Sequence, residues 1–250
     1  GVFEGDEDAL GGLLGAGELA ARAAARCGAG LVTWGGPHSL WSTMAAKVTE
    51  VMTLGFPETE RGYLGLQAAS TIVTALPDKD VLALGPGIGR HESTVSLVKD
   101  VLAEASIPVV IDADALFALA ASETQPVKPS QAAWVLTPHP GEAARLLGCT
   151  VAEIERNRPA AARRLAERFG CVVALKGVPT LVTDHVERVL YINTTGNPGM
   201  ATGGTGDVLT GMIAGLIAQG MSPLKAAVAG VYLHGRAGDI ASLTGQTGLI

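Results

Sequence analysis

A mostly parallel β-sheet covered by helices on both faces is the architecture this sequence predicts, and three observations carry the prediction. Short apolar runs bounded by Gly, Pro or Asp alternate with helical patterns, the order that builds parallel strands joined by crossovers. Early runs such as Val109–Ile111 and Trp134–Leu136 are apolar without alternation, as strands buried on both faces are. Polar residues and glycines gather directly after those runs, at the carboxyl ends where open parallel sheets hold their ligands.

The elements follow in chain order. A helical pattern covers Leu13–Arg26 and leads to a strand at Leu31–Trp34. Val81–Leu84 is the next strand, turned by Gly85-Pro86-Gly87-Ile88-Gly89 before a helix over Ser93–Glu104. Val109–Ile111 runs into Asp112 and Asp114, and Trp134–Leu136 runs into Thr137–Glu142 and a helix over Glu142–Leu147. A helix over Ala160–Phe169 precedes the strand Val172–Leu175, which ends at Lys176–Thr180. Thr180–Val182 and Val189–Ile192, joined by a polar stretch with Asp184, His185 and Glu187, form an antiparallel hairpin near the sheet edge. From Thr205 to Gln219, Leu209, Met212, Ile213, Leu216 and Ile217 fall at i, i+3, i+4, i+7 and i+8, one helical stripe, and a last helix spans Pro223–Leu243.

Composition narrows the function. No Pro/Ser-rich or charge-run linker divides the 250 residues, so a single domain over 1–250 is expected. A 48% hydrophobic content and a mean hydropathy of +0.33 supply a sizeable core. The net charge of −6 and pI of about 5.4 leave no basic footprint for nucleic acid or an anionic membrane. Cys27, Cys149 and Cys171 are odd in number and widely spaced, which argues against a disulfide framework and against a CxxC metal site and makes a cytoplasmic setting the default. There is no uninterrupted apolar run of about 18 residues to cross a membrane. The missing initiator methionine and the apolar end at Ile250 predict a piece trimmed from a longer chain.

The strongest motif runs from Gly196 through Asn197, Gly203, Gly204, Thr205 and Gly206 to Asp207, straight into the Leu209 stripe. Glycines let backbone N–H groups converge on one point, and a helix N-terminus adds partial positive charge, so the segment predicts an anion hole for phosphate. Asp207 in the first turn is suited to take a proton from an acceptor hydroxyl. The same residue could also be an ordinary first-turn acid that favours the helix dipole. Gly-x4-Gly-Lys-Ser/Thr is absent, so this is not a Walker A loop. ATP or ADP and phosphate transfer are the expected ligand and chemistry.

Taken with Gly85–Gly89, Ile111-Asp112-Ala113-Asp114-Ala115-Leu116 and Thr137-Pro138-His139-Pro140-Gly141-Glu142, the Gly203–Asp207 segment resembles the ADP/ATP-dependent NAD(P)H-hydrate dehydratase family of the ribokinase-like superfamily. The similarity runs from about Gly15 to the C-terminus and includes Gly28–Val32 and Lys176-Gly177. Gly-Thr-Gly-Asp marks the superfamily; Thr-Pro-His-Pro-Gly-Glu marks the family. The resemblance implies a ribokinase-like three-layer sandwich and nucleotide-dependent dehydration of the S-epimer of hydrated NADH or NADPH, by phosphorylation of the added hydroxyl and elimination of phosphate. It implies Asp207 as the catalytic base at the hydrated nicotinamide. Lys176, Gly177, Val178, Pro179 and Thr180 would line the adenine-nucleotide site, with Asn197, Gly203, Gly204, Thr205 and Gly206 at the phosphates. Ala16, Gly87, Gly89, Asp112 and His139 would contact the hydrated cofactor. Magnesium is expected with the nucleotide, with no protein metal cluster, and self-association into a homo-oligomer is expected as well. The acidic start Gly1–Asp6 departs from the family, whose members usually begin with a basic segment and a complete first strand.

Each position also has a plainer reading. The His139 ring could cap the helix that begins near Glu142, and Glu142 more simply supports that helix start than performs chemistry. Asp112 could orient a metal-bound water or the substrate, or act as an N-cap, and Lys176 could neutralise phosphate or snorkel at a sheet edge. His38, His91, His185 and His234 read as ordinary surface or helix residues, and Trp34, Trp41 and Trp134 as packing. Two other functions use the same residues: a kinase for a small hydroxylated metabolite such as hydroxyethylthiazole or a sugar, and a nucleotide-sensing module without turnover.

Overall fold

The structure, a computed structural model, describes residues 14–121 and 132–245. The expectations placed on residues 1–13, the acidic start and Leu13 among them, lie outside the described residues. The elements are α1 (Leu14–Arg26), β1 (Thr33–Pro37), α2 (His38–Lys47), β2 (Met52–Phe56), α3 (Gln67–Ala75), β3 (Leu82–Leu84), α4 (Glu92–Glu104), β4 (Val109–Ile111), α5 (Ala113–Ala120) and β5 (Trp134–Leu136). Then follow α6 (Pro140–Leu147), α7 (Val151–Arg156), α8 (Arg158–Phe169), β6 (Val172–Leu175), β7 (Leu181–Thr183), β8 (Leu190–Ile192), α9 (Thr205–Ala218) and α10 (Pro223–Ala241).

Six strands form the main sheet in sequence order from β3 to β8. β3, β4, β5 and β6 run parallel, and β7 and β8 continue antiparallel, so the predicted hairpin is present at the edge. Because successive side chains point to opposite faces, the unbroken apolar strands feed two cores. Val109, Ile111, Trp134, Leu136, Val173 and Leu175 pack toward the side of α3 to α6 and α8. Val110, Val135, Ala174 and Val182 meet Leu209, Ile213 and Ile217 of α9 and Ala226, Ala227 and Val231 of α10. That is the three-layer arrangement the alternating pattern predicts.

The α9 stripe divides between two jobs. Leu209, Ile213 and Ile217 face the sheet, while Gly211 and Gly215 on another side let α1 approach so closely that an added Cβ would meet the backbone of Ala20 and Ala24. Four small buried residues of α1, Ala20, Ala21, Ala23 and Ala24, complete that contact.

The first strand differs from expectation. Leu31 is exposed, and β1 shifts to Thr33–Pro37, pairing with β2 in a separate two-stranded sheet rather than being buried on both faces. Gly35 and Gly36 end the apolar run, yet they continue the strand because Phe56 and Trp34 lie against the space a Cβ would fill. α2 and β2 carry too little periodicity to be read, and α3, α5 and α7 likewise go unpredicted. Trp41 is partly exposed rather than packed, donating to the Thr53 carbonyl, whereas Trp134 is fully buried.

Gly85 closes β3 with φ +128°, and a Cβ there would collide with the Asp112 carbonyl. Gly85→Ala combines a left-handed backbone with that overlap, so it should destabilise the fold by about 2 kcal/mol or more. Chemical denaturation measures it; a loss below about 0.5 kcal/mol, the range of neutral surface changes, would refute the close approach.

Candidate active site

The four parallel strands end on one edge of the sheet, and the ladder continues one step past each of β4, β5 and β6. Asp112 N donates to Leu84 O (3.1 Å), Thr137 N to Ile111 O (3.2 Å) and Lys176 N to Pro138 O (2.8 Å). These bonds fix Asp112, the Thr137–His139 loop and Lys176 side by side.

Lys176 is the centre of the constellation. Its Nζ lies 2.8 Å from Asp112 Oδ1 and 3.8 Å from Glu142 Oε2. Asp112 is 1% exposed, and its other oxygen, Oδ2, accepts from the Thr210 hydroxyl at 2.7 Å. Each carboxylate oxygen therefore has a partner, and the residue stands at the N-cap position of α5 without making a side-chain cap bond. Nor does Lys176 snorkel at an edge, because its strand β6 lies inside the sheet between β5 and β7.

His139 caps α6 as its plainer reading anticipates. Nδ1 accepts from Gly141 N (3.0 Å) and Glu142 N (3.3 Å), while Glu142 Oε2 accepts from His139 N (2.8 Å), a reciprocal capping box. An accepting Nδ1 leaves the proton on Nε2, so the half-exposed edge of the ring presents a donor, 3.6 Å from Glu142 Oε1. Capping thus uses Nδ1 and leaves Nε2 on the outer edge of the ring.

α9 approaches from the other side of the sheet. Gly204 is its N-cap in the left-handed region (φ +93°) with no side chain capping the helix, so the first-turn amides stay open to an anion. The Thr205 hydroxyl donates to the carbonyls of Met200 and Thr202, both at 2.8 Å, which ties the glycine loop to the helix start. Gly206 sits against the lysine: a Cβ there would lie 3.4 Å from Lys176 Nζ and 3.8 Å from Asp112 Oδ2. Asp207 follows, half-buried, and the fields of Asp112 and Lys176 act on it.

The electrostatics follow from burial around one lysine. Asp207 is raised to about 6, first by desolvation and then by the neighbouring Asp112 charge, against the pull of Lys176. Glu142 is raised to about 7, again by desolvation first. Desolvation opposes the Lys176 charge, but Asp112 and Glu142 outweigh it and the ammonium is held above its ordinary value. Two carboxyls titrating near neutrality beside a fixed cation is an arrangement suited to proton transfer.

The expected nucleotide loop 176–180 is held from below by a residue from another helix. Arg158, at the start of α8, donates through Nη2 to the carbonyls of Lys176 (3.2 Å) and Pro179 (2.9 Å) and packs under Gly177, which has φ +145°. Thr180 turns its hydroxyl back to Gly177 O at 3.1 Å, and Val178 is exposed. Asn197 Oδ1 accepts from Gly199 N, and its Nδ2 donates to Asp239 Oδ1 of α10 at 3.3 Å, which ties the loop before α9 to the last helix.

Gly87 and Gly89 have φ of +70° and +87° in a tight turn, and the Gly89 amide donates to Asp114 Oδ2 at 3.1 Å rather than facing open space. Ala16 lies in the first turn of α1, one turn before Leu19, whose side chain borders Gly204.

His234 is not the ordinary helix residue expected. Its ring hydrogen-bonds the Thr205 backbone, and burial pushes its pKa down to about 4, so it stands neutral behind the anion hole. Thr210 was missed, although its place one turn after Asp207 on the same helix was a signal that could have found it; Arg158 and His234 carry no such signal, because only the tertiary fold brings them to the site.

Among the described residues no group of three or more His, Cys, Asp and Glu side chains is placed to hold a metal ion, and no helix is long and apolar enough to cross a membrane.

The sheet order, the anion hole at α9 and the acid in its first turn define a ribokinase-like α/β protein. Phosphofructokinase-2 from Escherichia coli, in complex with fructose-6-phosphate, shares the fold at a TM-score of 0.56 and 18% identity, over 89% of this chain and 81% of its own. The chain belongs to the NAD(P)H-hydrate dehydratase family, whose model matches residues 9–249. The bifunctional NAD(P)H-hydrate repair enzyme of Moorella thermoacetica is 49% identical over 92% of this chain and 43% of its own length. The ADP-dependent (S)-NAD(P)H-hydrate dehydratase of Neisseria meningitidis is 41% identical, over 92% of this chain and 73% of its own. The Bacillus subtilis ADP/ATP-dependent NAD(P)H-hydrate dehydratase, co-crystallized with ATP/Mg2+, matches at a TM-score of 0.80 and 30% identity, over 96% of this chain and 81% of its own. The chain spans less than half the length of the bifunctional relatives it matches.

Proposed function

We propose that this chain regenerates NADH and NADPH from their S-configured hydrates, with ATP or ADP as phosphate donor. One observation supports the reading most: Asp207, raised to about 6, stands in the first turn of an uncapped helix against the Lys176–Asp112 pair. A base and a phosphate cradle share one helix start.

In this mechanism the glycine loop and the α9 amides bind the transferring phosphate, with Lys176 adding positive charge. Asp207 takes the proton of the added hydroxyl, whose oxygen attacks the terminal phosphorus and releases ADP or AMP. The ring nitrogen then donates its electron pair as the C–O bond breaks and inorganic phosphate leaves, and loss of a proton from the adjacent ring carbon restores the double bond. His139, donating through Nε2, orients the carboxamide side of the ring; Asp112 and Thr210 hold Lys176 in place. Magnesium would enter as part of the nucleotide complex, where it would supply neutralisation of phosphate charge. We also infer a cytoplasmic setting, a single domain, and self-association into a homo-oligomer, to which the exposed Tyr191, Ile192, Tyr232 and Leu233 are suited.

The phosphate released separates this reading from a kinase. One inorganic phosphate per reduced nicotinamide regenerated is expected; a stable phosphorylated product with no free phosphate would support the small-metabolite kinase instead.

The pH behaviour has two opposing signs. Asp207 works ionised, so turnover should rise with pH through about 6. Glu142 and Asp207 have folded values above their unfolded ones, so the stability they contribute is complete below the unfolded carboxyl range and is lost as pH climbs toward 6 and 7. Melting temperature and rate measured between pH 5 and 8 should therefore move in opposite directions; a rate that falls as pH rises through 6 would remove Asp207 as the base.

A further inference from the structure

Outside the lysine-centred cluster, on the α4 to α6 side of the sheet, two guanidinium groups converge on one aromatic ring. Arg90 Cζ, from the turn after β3, lies 5.3 Å from the Phe117 ring centroid, and Arg145 Cζ, from α6, lies 5.2 Å from it. Arg90 uses its Nε on Asp114 Oδ1 at 2.7 Å, which leaves the outer end of its fork available. Arg145 is exposed and has no acidic partner among the ion pairs of the described residues. Two like charges held against one ring with a single carboxylate between them leave a surplus of positive charge. Fork-shaped donors on a flat aromatic platform are suited to phosphate oxygens.

The place of the pair in the fold says which phosphates. Arg90 directly follows Gly87 and Gly89, and Arg145 lies on the helix that His139 caps, and both charges act on the His139 ring. The nucleotide's phosphates belong on the opposite side, at the start of α9. A hydrated dinucleotide carries its own diphosphate, and in the phosphorylated form a ribose 2′-phosphate, and the carboxylates of Asp112, Glu142 and Asp207 around Lys176 disfavour more negative charge there.

We propose that Arg90 and Arg145, braced on Phe117, form the subsite for the phosphate groups of the dinucleotide substrate. This rests on the dehydratase reading and adds how the substrate is gripped away from the reacting ring.

The test is steady-state kinetics of wild type, Arg145→Gln and Arg145→Lys with hydrated NADH and hydrated NADPH, each at saturating ATP and magnesium. Arg145 contributes to no core, so the variants should melt with the wild type. Arg145→Gln is expected to raise the KM for the dinucleotide about tenfold, the scale of one charge-assisted hydrogen bond, while kcat and the KM for ATP stay put. Arg145→Lys should recover part of the loss, since it keeps the charge without the fork. An equal rise for both dinucleotides assigns the diphosphate; a rise confined to hydrated NADPH assigns the 2′-phosphate. Unchanged KM for both, with an active wild type, overturns the subsite and leaves the dehydratase reading intact. A wild type that turns over neither hydrate overturns both.

Discussion

Asp207→Asn should abolish turnover while leaving ATP binding in place. Removing a positioned general base costs roughly 10²- to 10⁴-fold in rate. Asparagine keeps the size of the side chain and its first-turn position, so the Gly203–Gly206 loop and the α9 amides should bind phosphate as before. The measurement is a pair: single-turnover formation of reduced nicotinamide, and calorimetric binding of ATP with magnesium. Lost turnover with retained binding places the carboxylate in the chemistry. Retained turnover would mean that Asp207 is only the dipole-favoured acid that any helix start can carry, and lost binding would mean that it builds the loop.

The second large effect concerns stability. Lys176→Met should destabilise the fold by about 3 kcal/mol, at the low end of the range for breaking a buried ion pair because the lysine side chain keeps some exposure. Asp112 would be left 1% exposed and without its cation. In a chain of this size that corresponds to a drop of roughly 6–12 °C in melting temperature. Adding Asp112→Asn removes the stranded charge and keeps an acceptor for Thr210, so the double variant should recover most of the stability while remaining inactive. If Lys176→Met melts like the wild type, the pair is not the keystone of the strand-end cluster. If the double variant falls further still, the loss comes from packing and not from charge.

What the sequence made legible was whatever lies close in the chain. The parallel strands β4, β5 and β6 were clear because each is short, wholly apolar and followed at once by polar residues. The site was clear for the same reason: Gly85, Asp112, His139 and Lys176 all stand within a few residues of a strand end, and the parallel sheet gathers strand ends automatically. The roles inside the site were less clear, because burial decides them. Nothing local distinguishes Asp112 as an N-cap from Asp112 as a buried counter-ion; the distinction is made by Lys176, 64 positions away in the chain. The cap weighed for His139 is made through Nδ1, and nothing local says that this choice leaves Nε2 on the outer edge of the ring, 3.6 Å from Glu142 Oε1.

The parts that went unread are those set by distant neighbours. Arg158 supports the 176–180 loop from the start of another helix, and His234 reaches Thr205 from α10, with no spacing rule to announce either. α2 shows a related failure: only Met44 of its ten residues is buried, too little apolar content for a stripe. Gly35 and Gly36 misled in the other direction, since glycines that read as a strand end are here the places where aromatic rings cross the strand.

Nucleotide-dependent dehydration is read directly from absorbance at 340 nm when the purified protein is given hydrated NADH with magnesium, first without nucleotide and then with ATP or ADP. No rise is expected until nucleotide is added, and then a rise matched by one phosphate released per reduced nicotinamide formed. A rise that needs no nucleotide would contradict the phosphorylation mechanism, and no rise with either donor would contradict the dehydratase assignment itself.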